Sequence, residues 1–408
     1  ANNDWQFVLA RSYARIGDAR YRKGDLLSGP EGPLSESGSP SGALPAYEFY
    51  RNIMSGLTTK GTVQPQWQRD LSRAYEKVGT VLQQLGRLDE ARTHYQEKLA
   101  LAERMPQDDW WDADRALAEL TVGDVLLAMG DAKLAAEARK HYENALAINA
   151  ALLEKPQSKD KGEWRWNWAL SYERIGDTLM RLGKLGDDSK YSEAEKNFDL
   201  FDTIVQQVAA QDSSKGRWRQ GLADAQQRHG DVLLAQGRPA EAQKRYEEGN
   251  RIAADLVEKS EKNLSFLRIL SISEERIGDS LQRQGKLQCP ADDGSDCAFK
   301  RYEKFFKNAR KLVDEDRTNI YWQRDLAFSL QRMGDLGLEI GDRKGAMSAF
   351  EQCLKVLDDF RDELRKSDSE TNVAQRYAQA MKLYDPRNNS PEENILHYCQ
   401  RRAAALKK

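Results

Sequence analysis

The stretch that decides the fold is YWQRDLAFSLQRMGD, Tyr321–Asp335, because a near copy, QWQRDLSRAYEKVGT, lies at Gln66–Thr80. A phrase that recurs along one chain indicates a repeat architecture. Aligning the sequence on the glycine of this phrase finds seven copies. We call these seven the anchor glycines: Gly17, Gly79, Gly123, Gly176, Gly230, Gly278 and Gly334.

Each copy has three further fixed positions. An aromatic residue stands twelve residues before the anchor glycine: Trp5, Trp67, Trp111, Trp164, Trp218, Phe266 and Trp322. A second glycine follows seven residues after it: Gly24, Gly86, Gly130, Gly183, Gly237, Gly285 and Gly341. Later, an alanine is followed four residues on by an aromatic residue: Ala46 and Tyr50, Ala91 and Tyr95, Ala138 and Tyr142, Ala194 and Phe198, Ala242 and Tyr246, Ala298 and Tyr302, Ala346 and Phe350. Seven concordant copies exclude chance.

The spacing within a copy predicts a helix. Positions 12, 8, 5 and 1 before the anchor glycine share one stripe of a helix, and near Gly334 they are Trp322, Leu326, Ser329 and Met333. The glycine and the alanine or serine seven residues before it form a second, small-residue stripe. Small residues let neighbouring helices approach closely, so the first helix of each copy is expected to be buried on two sides, with the tryptophans in the core.

The second glycine of each copy is expected to end that helix. Glycine adopts positive φ without steric cost, which suits the residue just past a helix C-terminus. The segment after it, for example Arg87–Met105, has the spacing of a second amphipathic helix. Each copy therefore predicts a helical hairpin.

The order glycine, glycine, then alanine with an aromatic four residues on resembles the tetratricopeptide repeat. In the second copy the residues that carry this resemblance are Gly79, Gly86, Ala91 and Tyr95. The resemblance implies an all-α, right-handed α-solenoid and a role in binding proteins. The anchor glycines are 44 to 62 residues apart, whereas the family repeat is about 34 residues long. We interpret this as a long-helix variant of the repeat, and its sequence motif resembles repeats of bacterial multidomain signalling proteins.

The predicted organisation has two parts. Residues 1–357 form seven hairpin repeats, and residues 358–408 form helices that cap the last repeat, as solenoids require. The Gly/Ser/Pro tract 28–45 inside the first repeat is expected to be a flexible loop.

Composition and motifs argue against several classes of function. A net charge of −2 with 31% charged residues gives no excess of positive charge for nucleic acid. No apolar run approaches the roughly 20 residues that span a bilayer. Nucleophile, phosphate-loop and dinucleotide motifs are missing, the four histidines are scattered, and no metal or cofactor is expected. The chain is therefore predicted not to be an enzyme. Since Ala1 is not a methionine, it is either a mature form or part of a longer protein.

Two of the four cysteines, Cys289 and Cys297, lie close together in an insertion of the sixth copy. They form either a disulfide or two free thiols, which leaves the compartment open between the bacterial cytoplasm and an oxidising periplasm or exterior. Asp292, Asp293 and Asp296 beside them lack the alternation of a calcium loop.

Charges recur at two positions of the first helix. An aspartate follows the anchor glycine except at Thr80, and a basic residue precedes it by two except at Thr121. Arginine and aspartate three apart can pair within one helix, or the pairs can bridge successive repeats as a ladder that only holds their register.

The family resemblance gives the same residues a binding role, because the residue after the first glycine faces the concave groove in tetratricopeptide proteins. On this interpretation the groove has an acidic stripe interleaved with arginines and suits a basic or polar segment. The candidate partner-binding residues on this interpretation are Asp124, Asp177, Asp231, Asp279, Asp335, Arg174, Arg228, Arg276 and Arg332. Trp166 is a further candidate because it points away from the core stripe and tryptophan is common at interface hot spots; the alternative is that it packs against a neighbouring repeat.

The sequence thus favours a non-enzymatic scaffold that binds a partner protein or peptide in the concave groove. The alternative is a sensor or regulatory region of a larger signalling enzyme. Partner identity and oligomeric state stay open.

Overall fold

The computed structural model describes most of the chain. The described residues are 3–22, 26, 40–59, 64–130, 132–155, 161–212, 215–260, 263–290, 294–367, 373–374, 377 and 394–407. All of the regular secondary structure in them is helical, apart from an isolated bridge residue at Pro40. The predicted all-α class is confirmed.

The helices come in successive pairs. Their bounds are α1 Asn3–Arg22, α2 Ala43–Thr58, α3 Pro65–Gln84, α4 Leu88–Arg104, α5 Asp109–Met129, α6 Ala132–Glu154, α7 Lys161–Lys184, α8 Ser189–Gln211, α9 Gly216–Ala235, α10 Pro239–Lys259, α11 Leu264–Arg283, α12 Ala298–Glu315, α13 Ile320–Glu339, α14 Arg343–Ser367 and α15 Ile395–Leu406. Each odd-numbered helix from α1 to α13 contains one anchor glycine, so it is the first helix of a predicted hairpin.

The chain divides into two compact units. One comprises Ala1–Asn197 with Ser367–Asn372, and the other Phe198–Lys366 with Val373–Lys408. In the first unit α1 packs on α2, α3 on α4 and α5 on α6, and each hairpin also contacts the next. In the second unit α9 packs on α10 and α11 on α12, with the same contact between consecutive hairpins. This is the packing of an α-solenoid, as predicted; its right-handed sense and the repeat boundaries stay predictions.

The anchor glycine is the site of closest approach between the two helices of a hairpin. A Cβ atom built on Gly230 would lie 2.2 Å from the ring of Tyr246. Equivalent contacts join Gly17 with Tyr47, Gly79 with Tyr95, Gly123 with Tyr142, Gly278 with Tyr302 and Gly334 with Phe350. The aromatic ring thus lies against the glycine, where any side chain would overlap it.

The glycines expected to end the first helices do so in five hairpins. Positive φ angles occur at Gly86, Gly130, Gly237, Gly285 and Gly341. The expectation was wrong for Gly183, which lies inside α7 against the ring of Tyr191, while Gly186 has the positive φ of 112°. The fourth copy contains two glycines three residues apart, and the tyrosine ring needs the first of them. Gly24 lies outside the described residues.

The first hairpin also departs from the predicted register. Gly17 meets Tyr47, so the alanine and aromatic pair of this copy is Ala43 and Tyr47 rather than Ala46 and Tyr50. Both pairs have the required spacing, and all four residues are buried, so the sequence could not separate them. Because α2 begins at Ala43, the predicted loop 28–45 ends earlier than expected; its residues 28–39 lie outside the described part.

The tryptophan stripe is buried as predicted in most first helices. Trp67 is 2% exposed, and Trp111, Trp164 and Trp218 are similarly buried. The prediction was wrong for Trp5, which is 73% exposed.

At the other end of the chain, α15 covers the last hairpin. Tyr398 of α15 makes an edge contact with Phe350 of α14, at 6.4 Å between ring centroids, and joins the same apolar cluster. Cys353 of α14 is paired with Cys399 of α15, a link that the sequence analysis missed because 46 residues separate them. The structure also pairs Cys289 with Cys297, one of the two arrangements that the sequence left open; the formation of this disulfide stays a prediction.

The glycine contact gives a stability prediction. Gly230→Ala should lower the free energy of unfolding by about 1–3 kcal/mol, the usual cost of overpacking a core, because the new methyl group overlaps Tyr246. Gly56→Ala is the matched control. Gly56 lies in α2 with nothing within 4 Å of its Cβ direction, so this change should be neutral or stabilise by up to about 1 kcal/mol. Denaturant unfolding followed by circular dichroism measures both, and equal effects would refute the close-contact explanation.

Candidate partner-binding surface

The repeated aspartates lie directly beside the anchor contact. In four of the hairpins with a tyrosine there, its hydroxyl donates a hydrogen bond to the aspartate that follows the glycine. The distances are 2.8 Å for Tyr47 to Asp18, 2.9 Å for Tyr142 to Asp124, 2.8 Å for Tyr246 to Asp231 and 2.7 Å for Tyr302 to Asp279. The tyrosine therefore fixes the carboxylate of its own hairpin. Burial raises the pKa of the Tyr142 phenol well above its usual range, and Asp124 raises it further, so the hydroxyl keeps its proton.

Each of these carboxylates also binds the basic residue of the next hairpin. Lys77 lies 2.5 Å from Asp18, Arg174 lies 2.9 Å from Asp124, Arg276 pairs with Asp231, and Arg332 lies 3.6 Å from Asp279. We call this series of pairs the inter-hairpin ladder. The Asp124 carboxylate beside Arg174 raises the pKa of that guanidinium. Of the two arrangements considered from the sequence, the bridge between successive repeats is therefore the one observed at these four aspartates.

The two exceptions to the charge pattern are partners of each other. The aspartate position of the second hairpin is Thr80, and the basic position of the third hairpin is Thr121. In the ladder the aspartate of one hairpin meets the basic residue of the next. Both charges are thus absent from the same step, and Tyr95 donates there to Thr80 at 3.3 Å instead. This coincidence supports a structural role for the ladder.

The last ladder step is completed by α15. Since the seventh hairpin has Phe350 in place of a tyrosine, Asp335 accepts a hydrogen bond of 2.6 Å from Tyr398, and Arg402 lies 3.8 Å away. Burial raises the pKa of Asp335 while Tyr398 and Arg402 oppose the shift. Burial, and after it the neighbouring Asp335, raise the pKa of Tyr398 to about 12, while Arg402 opposes this shift. The terminal helix thus supplies the tyrosine that the seventh hairpin lacks and an arginine in the role that the following hairpin has elsewhere.

One oxygen of each ladder carboxylate does most of this bonding. For Asp124 and Asp231, the tyrosine and the arginine both meet Oδ1. These side chains keep 30% and 20% of their surface exposed, and a carboxylate has about four lone-pair sites. Oδ2 of both residues is therefore able to accept a further donor.

The remaining predicted site residues are less informative. Asp177, Arg228 and Trp166 are half-buried, and all three make interactions within the chain. Nothing tests whether any of the ten residues contacts a partner, so the binding assignment stays a prediction.

Sequence reasoning missed a second polar layer inside the hairpins. The residue before the anchor tyrosine pairs with the residue four before the anchor glycine. His141 Nδ1 lies 2.5 Å from Glu119, Arg301 donates to Glu274 at 2.7 Å, and Arg245 donates to Gln226 at 3.1 Å. His94 holds the same position beside Tyr75. The histidines His94 and His141 are therefore not scattered; counting from the tyrosine, rather than from the glycine, reveals the position that they share.

Burial and neighbouring charges set the ionisation of His94 in this layer and of Lys98 beside it. Burial lowers the pKa of His94 to about 4, and the neighbouring Arg51 adds to the effect, so this ring is neutral near pH 7. Lys98 is fully buried, which lowers its pKa, but Glu76 and Asp114 outweigh this and raise it. Lys98 thus joins Glu76 of its own hairpin to Asp114 of the next one.

The second unit contains a shallow cavity of about 330 Å³ between α8, α9 and α10. Its lining is mainly charged and polar: Asp202, Gln206, Arg219, Leu222, Gln226, Glu248, Arg251, Ile252 and Asp255. Four of its five charges are paired, Arg219 with Asp255 and Arg251 with Glu248 at 2.6 Å, and the fifth, Asp202, accepts a hydrogen bond from Gln226. None of the predicted site residues lines it.

Metal and membrane signals do not appear in the part of the chain that the structure describes. No group of three potential metal ligands occurs among those residues. Asp296, one of the three aspartates near the cysteines, pairs with Arg301 at 2.5 Å, and Asp292 and Asp293 lie outside the described residues. No described helix is both long and apolar enough to cross a membrane.

Comparison with known proteins gives no family assignment. No family model matches the chain, and no curated protein matches it either. Solved structures with a similar backbone include apo RapI, 13% identical over 85% of this chain and 98% of that one, with a TM-score of 0.49. Others are BtubC from P. vanneervenii (16% identity, 68% and 91% covered, TM-score 0.47) and a tetratricopeptide repeat protein from Parabacteroides merdae (15%, 91% and 98%, TM-score 0.36). The tetratricopeptide-like fold described above rests on the contacts of the chain itself.

The ladder step between the second and third hairpins, where Thr80 and Thr121 replace the two charges, can be tested by introducing the missing ion pair. Thr80→Asp should destabilise the protein, because it places a carboxylate one turn from Glu76 without a cation. Adding Thr121→Arg should recover this loss, with a coupling free energy of about 0.5–1 kcal/mol. Unfolding of the single and double variants measures the coupling as a double-mutant cycle. Independent effects of the two changes would mean that the third hairpin does not face the second through these positions.

Proposed function

We propose that this chain is a non-enzymatic protein-interaction scaffold, and that the surface carrying the inter-hairpin ladder binds a basic or polar segment of a partner protein. The resemblance to tetratricopeptide repeats assigns this surface to the concave groove. The observation that supports the proposal is that the tyrosine and the arginine both bind Oδ1 of Asp124 and Asp231, so that Oδ2 of these partly exposed carboxylates takes no part in the ladder.

Lysine and arginine donors suit such a site. A charged donor forms a stronger hydrogen bond with a carboxylate than a neutral donor does. Because Oδ2 takes no part in the ladder pairs, a partner can bind it without breaking them, so binding need not cost stability. The arginines between the aspartates set the spacing, since they repel cationic groups placed directly opposite them.

The alternative function, a regulatory region of a larger signalling enzyme, remains compatible with this binding role. Such a region would use the same surface to recognise its signal or its target. The experiment below tests the binding surface, which the two interpretations share.

The test separates binding from folding. Asp124→Asn with Asp231→Asn removes the negative charge and can replace Oδ2 by a donor, while Oδ1 still accepts from the tyrosines. We expect a partner captured by the wild-type chain from native lysate to bind this variant at least about tenfold more weakly, which corresponds to the loss of about 1.4 kcal/mol. Capture followed by a titration with the purified partner measures the change.

Tyr246→Phe is the matched control. It removes the hydrogen bond to Asp231 Oδ1 but leaves both carboxylate oxygens, so stability should fall by about 1 kcal/mol while partner binding stays unchanged. If the double asparagine variant binds the partner as tightly as the wild type does, the ladder aspartates serve packing alone and the proposed surface is wrong.

A further inference from the structure

The first helix has an exposed face that every other predicted first helix uses for packing. The stripe of α3 comprises Trp67, Leu71, Ala74, Val78 and Val81, and all five are buried. The equivalent residues of α1 are Trp5, Leu9, Ser12, Ile16 and Ala19. Trp5 is 73% and Leu9 47% exposed, and Ile16 is only half-buried. We call this stripe the α1 face.

The established contact between hairpins shows what covers such a stripe. Trp67 and Leu71 share one apolar cluster with Tyr50, Met54 and Leu57, which belong to α2, the second helix of the preceding hairpin. Burying a large apolar side chain in this way stabilises the contact by about 1.5–3 kcal/mol. The α1 face has the shape and apolar character of this interface, but no described helix precedes α1.

Arg15 supplies the charge of the same interface. It occupies the position of Lys77, Arg174, Arg276 and Arg332, each of which binds the aspartate of the preceding hairpin. Arg15 is exposed, and no carboxylate of the described residues pairs with it. The α1 face therefore combines an apolar stripe with one cation in the register that the ladder uses.

We propose that the α1 face is a docking surface for a helical hairpin of this same repeat type. The second helix of that hairpin covers Trp5 and Leu9, and its first helix provides an aspartate, directly after its close-packed glycine, that pairs with Arg15. The last hairpin of another copy of this chain does not meet the requirement, because Tyr398 and Arg402 already cover Asp335.

The test uses the full chain with one of its own hairpins added. A copy of residues 263–317, which precedes α13, is fused directly ahead of Ala1. Trp322 follows Arg317 by five residues, and Trp5 is also fifth after the junction, so the register is kept. We expect hydrogen exchange of the α1 amides to slow by at least about tenfold in the extended chain.

Charge reversal checks the predicted pairing. Arg15→Glu should cancel the protection of α1 in the extended chain, and Asp279→Arg in the added copy should restore it. Trp5→Ser should likewise speed exchange in the extended chain but leave the stability of the unextended chain nearly unchanged, whereas Trp67→Ser should destabilise both.

Three results would overturn the proposal. One is unchanged exchange in α1 after the extension while the rest of the chain keeps its helical signal. A second is protection of α1 that persists with Arg15→Glu. The third is a dimer of the unextended chain that Trp5→Ser abolishes, since the α1 face would then bind a second copy of α1.

Discussion

The structure depends on one short contact, an aromatic ring against a glycine in the middle of a helix. Glycine is unfavourable there by about 1 kcal/mol relative to alanine, and the large ring buried at each site offsets that cost. The contact fixes the distance between the two helices of a hairpin, because a Cβ at Gly230 or Gly17 would overlap the ring. Every hairpin with this contact therefore has the same internal geometry despite loops of different lengths.

The tyrosine extends this contact from one hairpin to the next. Its hydroxyl holds the neighbouring aspartate, and the aspartate binds the basic residue of the following hairpin, as in Tyr142, Asp124 and Arg174. Packing within a hairpin and register between hairpins thus share one side chain. Surface ion pairs alone contribute little to stability. A carboxylate that already accepts a hydrogen bond from a buried hydroxyl loses less conformational entropy when it forms an ion pair. The ladder therefore fixes the orientation of successive hairpins at a small entropic cost.

Much of the fold could be predicted from the sequence because its signals repeat. The anchor glycines, the tryptophan stripe and the paired charges each recur at fixed spacing, and the helical hairpins follow from that.

The prediction was wrong where two residues fitted the repeat pattern equally well, as with Tyr47 and Tyr50 or Gly183 and Gly186. The exposure of Trp5 could not be seen from periodicity, because burial depends on what lies in front of α1. The layer of His141 and Glu119 was missed since it is aligned on the tyrosine, whose distance from the anchor glycine varies. For the candidate site, the sequence located the charged positions. Which carboxylate oxygen the tyrosine and the arginine bind depends on side-chain geometry, which the repeat pattern does not specify.

The pairing of Thr80 with Thr121 bears on how such an array changes over time. Every hairpin except the second and third has an acidic group on the side of the next hairpin and a basic group on the side of the preceding one, so the series has a direction. Such a hairpin can be duplicated or lost without disturbing the charge balance at the new junction. A single substitution at one junction leaves its partner unmatched. The second and third hairpins meet through Thr80 and Thr121, so duplicating or relocating the two hairpins together leaves every ladder charge with a partner. Separating them would place each threonine opposite a charged residue of another hairpin, and that charge would have no partner.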